Sequence, residues 1–410
     1  MNPTGSDLRR VLLYAHDTYG LGHLRRNLAI AGRVLEDRPG LQVVLMTGSS
    51  EAERFALPRG LSLVRLPPVV KMGAEDYRPR DQRFDIDLVR RARSSIMADT
   101  ARRFRPDVFL VDHAPQGMKG ELLPVFATLR AASPDSRIVL GLRDMLDDPA
   151  SVRKNWSEQH TYETMETVFD RILVYGSADL FDVGAAYGLS SAVAAKLTYC
   201  GYVCRPTERS GPGTKQGQAF VLGTAGGGGD GTEALSATLA ASAALGLSCL
   251  VVTGPLMSDA DRLALAGQAA PDPGAKVVQF IPDLSDAMRQ ARAVVTMGGY
   301  NTLCELVAAG TPTVVVPRTH PRREQAIRAE LFARRGVVSV VTPGADLDAR
   351  LQEALAAALA AGRRGGPGGL DLHGLDHVDA ALEAEARLCH GCWSRAAEPS
   401  NAEPKVKASA

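Results

Sequence analysis

Cysteine, aromatic rings and any surplus of one charge are scarce in this chain. Six cysteines among 410 residues do not make a disulfide framework. Cys200, Cys249 and Cys304 lie in or beside apolar runs, as small core residues do. Cys389 and Cys392 form a CxxC, but no second ligand pair stands at a zinc-site spacing, so no metal is expected. Lys plus Arg number 47 and Asp plus Glu 46, a net charge of +1. That balance argues against a broad basic face, and nucleic acid is not an expected partner. No run approaches the roughly 18 apolar residues of a membrane span, and Val11–Ala15 is too short for a signal-peptide core. The expected setting is cytoplasmic, with a peripheral membrane contact left open. Apolar residues make up 45% and charged residues 23%, enough to bury sizeable cores and to exclude wholesale disorder.

The dominant pattern is a short apolar run, a small-residue turn and a helix-like segment. Val11–Ala15, Leu41–Thr47, Leu61–Leu66, Val108–Asp112, Ile138–Gly141 and Ile172–Tyr175 are such runs in the first half. Runs apolar at every position suit parallel strands covered on both faces. The alternation reads as βαβ units. It breaks at a polar, Pro- and Gly-rich stretch and resumes with Ala219–Leu222, Leu247–Thr253, Val277–Ile281, Ala293–Thr296, Thr313–Pro317 and Val337–Val341. The expected class is α/β, with two doubly wound Rossmann-like domains facing each other across a cleft. The expected divisions are 1–205, a linker at 206–218, a second domain at 219–362, a helical segment at 363–389 and a disordered tail at 390–410. Ligands of such sheets sit beyond the carboxyl ends of the strands, so the cleft is where a site belongs.

Three glycine-rich turns follow strands. Gly20-Leu21-Gly22-His23 opens a helix, where the helix dipole disfavours a positive imidazole and leaves His23 able to accept a proton. His16, at the strand end, is a rival for that role. Phe220 to Gly231 runs from a strand into Gly226-Gly227-Gly228-Gly229, a phosphate-cradling geometry. No Lys follows these glycines, so this is not a P-loop. Thr296-Met297-Gly298-Gly299-Tyr300-Asn301-Thr302 turns from a strand into a helix whose first amides are free to meet an anion. Glu305, one turn in, suits ribose hydroxyls as a paired acceptor, or closes a Thr302-x-x-Glu305 capping box. The next strand ends in Arg318-Thr319-His320-Pro321-Arg322-Arg323-Glu324-Gln325, polar groups where ligand contacts are expected.

This last motif resembles the C-terminal half of the MurG-like glycosyltransferases, family 28, with the GT-B fold. Gly20-Leu21-Gly22-His23 is similar to the family's N-terminal loop and His, and Gly226 to Gly229 to its second Gly loop. Phe280-Ile281-Pro282-Asp283 resembles the segment that cradles the nucleotide base. The resemblance implies a hexosyltransferase with an NDP-sugar donor, usually UDP-linked and of the UDP-GlcNAc kind, held by the second half, and no cofactor. It implies Glu305 on the ribose, Gly298 and Gly299 beside the diphosphate, and Gln325 with Glu324 on sugar hydroxyls. Gly20, Gly22, Gly226, Gly227, Gly228, Ile281, Asn301, Thr302 and His320 complete the expected donor site, with His23 as base. The family often has Gln at the position of Glu324 and Asp at that of Arg322, which leaves the sugar open. The acceptor (a glycan, a lipid-linked sugar or a small molecule) is unspecified.

The chemistry expected is metal-independent and inverting, with amide dipoles meeting the charge on the leaving diphosphate. Asp85/Asp87 and Asp346/Asp348 are Asp-x-Asp pairs, but neither directly ends a buried strand. Arg25 and Arg26 would attract an anionic acceptor or form a solvated helix face. Asp112-His113-Ala114-Pro115 and Arg143 to Pro149 follow strands and would border the acceptor pocket, with Asp112 orienting a basic His; turn chemistry is the first reading of both. Gly20 to Arg26 also resembles the loop of UDP-sugar hydrolases that make nonulosonic acid precursors, with water as acceptor. A UDP-sugar 2-epimerase shares the fold, although its His- and Ser-bearing strand-end motif is not clear here. A non-catalytic nucleotide-sugar-binding protein is the alternative from another class.

Overall fold

The computed structural model describes residues 7–16, 21–71, 77–205, 220–227 and 229–396. Among the described residues, nine strands belong to the first lobe: β1 (Arg10–Ala15), β2 (Gln42–Thr47), β3 (Leu61–Arg65), β4 (Val69–Lys71), β5 (Tyr77–Pro79), β6 (Val108–Asp112), β7 (Arg137–Arg143), β8 (Arg171–Tyr175) and β9 (Leu197–Tyr199). Seven of them form a parallel sheet in the order β3-β2-β1-β6-β7-β8-β9, and β4 pairs β5 antiparallel. Six more, β10 (Phe220–Thr224), β11 (Ser248–Val252), β12 (Ala275–Val278), β13 (Ala293–Thr296), β14 (Thr313–Val315) and β15 (Ser339–Val340), form a second parallel sheet in the order β12-β11-β10-β13-β14-β15. In each sheet the strand order reverses beside the first strand, between β1 and β6 and between β10 and β13. Crevices for ligands open at such switch points. The linker expected at 206–218 lies outside the described residues.

The all-apolar strands are apolar because both faces are covered. Along β1, Val11 and Leu13 enter one core while Leu12 and Tyr14 enter the opposite one, the two-residue period of a pleated strand. The first of these cores does not stop at the lobe boundary. It joins Leu24 and Leu28 of the helix Gly22–Leu35 to Tyr300, Leu303 and Cys304 of the helix Tyr300–Ala309, and to Phe332. Polar contacts cross the same seam. Asn301 Nδ2 donates to the Gly22 carbonyl at 2.9 Å, and the fully buried Arg328 donates to the Met145 carbonyl at 3.1 Å.

The chain then returns to the first lobe. Tyr202 donates its amide to the Asp371 carbonyl at 2.7 Å, and Val203 bridges His373. The helix Gly374–Ala396 lays Val378, Leu382 and Ala386 fully buried against the first core. Glu385 accepts from Arg137 Nε at 2.8 Å and Arg171 Nε at 2.9 Å. One expectation is corrected here. The helix does not end at 389 but runs to Ala396, because no proline follows until Pro399 and one internal Gly391 costs only about 1 kcal/mol. Leu388 is 52% exposed, while Ala386 and Cys389 beside it are buried. The Asp-x-Asp pairs both begin helices: Asp85 accepts from the amides of Asp87 and Leu88, and Asp346 precedes the helix Leu347–Ala361.

The returning helix is therefore part of the first lobe's core. Leu382→Ala is expected to cost about 2–5 kcal/mol, read as a lower urea midpoint at unchanged slope. A loss under about 1 kcal/mol would contradict this packing.

Candidate functional site between the two lobes

The first-lobe wall is built on the carboxyl ends of β1, β6 and β7. His23 lies in the first turn of the helix Gly22–Leu35, and its Nδ1 is 2.6 Å from Asp112 Oδ2 at the end of β6. A nitrogen that close to a carboxylate carries the proton, so Nδ1–H donates to Asp112 and Nε2 keeps its lone pair. Asp112 is also held by Arg26, whose Nη2 donates to Oδ1 at 2.7 Å and whose Nε donates at 3.0 Å. Burial works to raise the Asp112 carboxyl, but Arg26 and His23 outweigh it and bring it to about 2. Burial lowers the His23 imidazole to about 4, against the support of Asp112 and helped by Arg26 and Arg143. His23 is therefore a neutral imidazole at neutral pH. The reading of Asp112 as turn chemistry is corrected: its carboxylate is buried and both oxygens serve His23 and Arg26.

His16 belongs to a second network. Tyr14 Oη donates to Glu121 Oε1 at 2.7 Å, and Arg93 grips the same carboxylate at 2.6 and 2.8 Å. The phenol's one proton is thus committed, so His16 Nδ1–H donates to Tyr14 Oη at 3.1 Å. The His16 and His23 rings are 6.0 Å apart, and those of His23 and His113 are 4.9 Å apart. Among the described residues, no group of three or more His, Cys, Asp or Glu side chains is placed to hold a metal ion.

The second-lobe wall starts from two glycine turns. Gly226 has φ 65°, and a Cβ there would meet nothing within 4 Å. Gly298 has φ 85°, and a Cβ there would lie 2.8 Å from Val315, so this turn is packed from behind. Gly299 caps the helix Tyr300–Ala309. That placement puts Thr302 inside the helix, not at its cap, so the capping-box reading of Glu305 does not hold. Instead Glu305 Oε1 accepts from Arg25 Nη2 of the other lobe at 2.6 Å, while its Oε2 is buried without a hydrogen-bond partner. Glu324 repeats the pattern. Its Oε1 takes Arg318, and its Oε2 is buried without a partner. Burial works against the Glu324 charge, and Arg318, Arg143 and Arg328 outweigh it, holding the carboxyl below its usual range.

Two adjoining cavities lie in the cleft among the described residues. The first, about 230 Å³, is lined by Gly22, His23 and Arg25 on one side, and by Gly226, Ile281 and Phe280 with Gly299, Asn301, Thr302 and Glu324 on the other. The second, about 410 Å³, lies against Tyr77, Gln116, Asn155, Trp156 and His320. His16, His113 and Arg322 line both. Of the donor residues expected from sequence, His320 thus faces the second cavity. Gln325 accepts the Arg318 amide through Oε1 at 3.1 Å, and Gly227 packs against Gly254. Gly20 and Gly228 lie outside the described residues. Arg25 and Arg26 are neither free nor solvated but bound to Glu305 and Asp112. The sequence motifs name neither Arg143 nor Arg322 as a donor or catalytic residue; the position of Arg143 at the end of β7 is the one signal that points to it.

The fold is GT-B: two facing Rossmann-like lobes with the last helix returned to the first. Residues 230–364, most of the second lobe, match the glycosyltransferase family 28 C-terminal domain. The UDP-N-acetylglucosamine--N-acetylmuramyl-(pentapeptide) pyrophosphoryl-undecaprenol N-acetylglucosamine transferase of Haemophilus ducreyi is 37% identical over 65 residues, 16% of this chain. The match spans only 18% of that relative's length. MurG of Acinetobacter baumannii is similar in structure, with a TM-score of 0.56 and 13% identity over 92% of this chain and 99% of that one. So is a Listeria monocytogenes protein named as a UDP-N-acetylglucosamine 2-epimerase, with a TM-score of 0.62 and 12% identity over 95% and 98%.

The His23 environment has a measurable sign. Between pH 6.5 and about 4 the unfolded chain takes up a proton that the native imidazole refuses. Its contribution to stability is complete above 6.5 and is lost as pH falls through 4. An NMR titration is expected to place the His23 midpoint near 4; a midpoint near 6.5 would contradict this environment.

Proposed function

We propose that this protein is a glycosyltransferase that moves a sugar from a nucleotide-sugar, UDP-linked, to an acceptor held against the first lobe. The observation that carries the reading is the pair of half-used carboxylates. Glu305 and Glu324 each commit one oxygen to an arginine and bury the other without a donor. An unsatisfied buried acceptor costs about 1–3 kcal/mol, and sugar hydroxyls are the donors such atoms take. Glu305 serves the ribose and Glu324 the transferred sugar, with Phe280 and Ile281 against the base. The family of the second lobe supports a sugar donor. The Haemophilus ducreyi relative, whose name specifies UDP-N-acetylglucosamine, supports the uridine nucleotide.

The reaction on this reading is a single inverting displacement without metal. The acceptor hydroxyl gives its proton to His23 Nε2, Asp112 steadying the imidazolium through Nδ1. Its oxygen bonds to the anomeric carbon as the bond to the diphosphate breaks, and the electron pair leaves with the nucleotide. The first amides of the helix Tyr300–Ala309 and the open Gly226 turn stand where that charge develops. The second cavity, beside His16 and His113, gives the acceptor its place, which favours transfer over hydrolysis.

Glu305→Ala is expected to weaken UDP binding tenfold or more, ~1.4 kcal/mol, by calorimetric titration. His23→Ala should bind UDP like the wild type while turnover of a UDP-sugar drops by about 10²–10⁴. Unchanged UDP affinity in Glu305→Ala would overturn the donor site. Rapid, complete release of free sugar from UDP-N-acetylglucosamine without acceptor would make water the acceptor.

A further inference from the structure

The cleft holds two arginines that no carboxylate closes. Arg25, Arg26 and Arg318 are each closed by a carboxylate: Glu305 at 2.6 Å, Asp112 at 2.7 Å, and Asp230 at 3.0 Å together with Glu324. Among the described residues, the Arg143 and Arg322 side chains have no hydrogen bond or ion pair. Arg143 ends β7, half-buried, with Nε sealed from solvent and unpartnered. Arg322 is half-buried where the two cavities meet. His113 stands beside them, and its Nδ1 is also buried without a partner. Arg143 and Arg322 both act on the His113 imidazole, which burial first of all keeps neutral. Burial, with Arg26 and Arg328 nearby, lowers even the Arg143 guanidinium, to about 10.

The Glu324 and Asp112 carboxylates act on Arg143 without reaching it as ion pairs; a cation with no hydrogen-bonded partner in such a place is costly, and an anion with oxygen acceptors relieves it. We propose that Arg143, Arg322 and His113 form an oxyanion subsite for the acceptor, which accordingly bears a carboxylate or phosphate close to the hydroxyl that is glycosylated. The inference rests on the glycosyltransferase reading and adds the acceptor's chemistry to it. The subsite belongs to the acceptor, not to the donor diphosphate, for two reasons. Arg322 and His113 line the second cavity as well as the first, with Arg143 on the first beside them, whereas Gly226 and Gly299 line only the first. Arg143 and His113 both come from the first lobe, at the ends of the strands beside Asp112. The anion would thus lie beside the His23 ring, 4.9 Å from that of His113, and bring its hydroxyl to the base.

The test titrates inorganic phosphate and, separately, sodium acetate into UDP-saturated protein at constant ionic strength, with sodium chloride as control. Saturable binding of either anion is expected, weakened about tenfold or more in Arg143→Gln and in Arg322→Gln, with UDP affinity changed less than about threefold. The arm that binds tells phosphate from carboxylate. Arg322 is on a loop and half-exposed, so its variant keeps the test valid should Arg143→Gln fold poorly. Three results would overturn the subsite as assigned: no anion binding beyond chloride, phosphate expelled by UDP, or UDP-glucuronate binding tenfold tighter than UDP-glucose through these arginines. The second gives the pair to the donor diphosphate and the third to the donor sugar. If UDP does not bind, the nucleotide-sugar reading fails by itself, and the same anion titrations on the free protein still decide whether the arginines form an oxyanion site.

Discussion

A carboxylate buried in a cleft wall must be neutralised without being used up. Glu305 meets that constraint with a partner from the opposite lobe: Arg25 takes one oxygen and leaves the other without a donor. Leaving an ionised group wholly unpaired there would cost several kcal/mol, and pairing both oxygens would leave nothing for a ligand. The same device recurs at Glu324, with Arg318 as its balance. Because Arg25 and Glu305 belong to different lobes, the charge pair also ties the geometry of the site to the seam, where Leu24 and Leu28 share a core with Tyr300 and Leu303.

The first lobe solves the complementary problem. Its Asp112 is fully used, by Arg26 and by His23, so it presents no free acceptor to the cleft. What it controls is a proton. By fixing Nδ1–H it leaves Nε2 as the basic atom, and by sitting in a buried, arginine-rich wall it leaves His23 neutral at any pH well above 4. One wall therefore offers empty acceptors and the other a poised base, with two unmatched guanidinium groups, Arg143 and Arg322, between them.

Much of this was legible in the chain because parallel strands covered on both faces are apolar at every position. Val11–Ala15 and Val108–Asp112 are read from sequence within a residue of β1 and β6. The short hairpin β4–β5 and the three-residue β9 lack such runs and were not seen. Gly22, Ile281, Gly299, Asn301, Thr302 and Glu324 share one cavity because each sits in the turn beyond a strand's carboxyl end or in the first turn of the helix that follows, a position sequence spacing reveals. Pairings over long separations were not legible. Nothing local says that Arg25 finds Glu305 280 positions away, that Asp112 serves His23 and not its own turn, or that Arg143 finds no partner. Only the position of Gly299 as the helix cap decides against the capping-box alternative for Glu305.

The most direct measurement is a crystal structure with UDP bound. The account requires a ribose hydroxyl within about 2.5–3.0 Å of Glu305 Oε2, with the diphosphate at the start of the helix Tyr300–Ala309. A ribose turned away from Glu305, or a nucleotide bound outside this cleft, would contradict it.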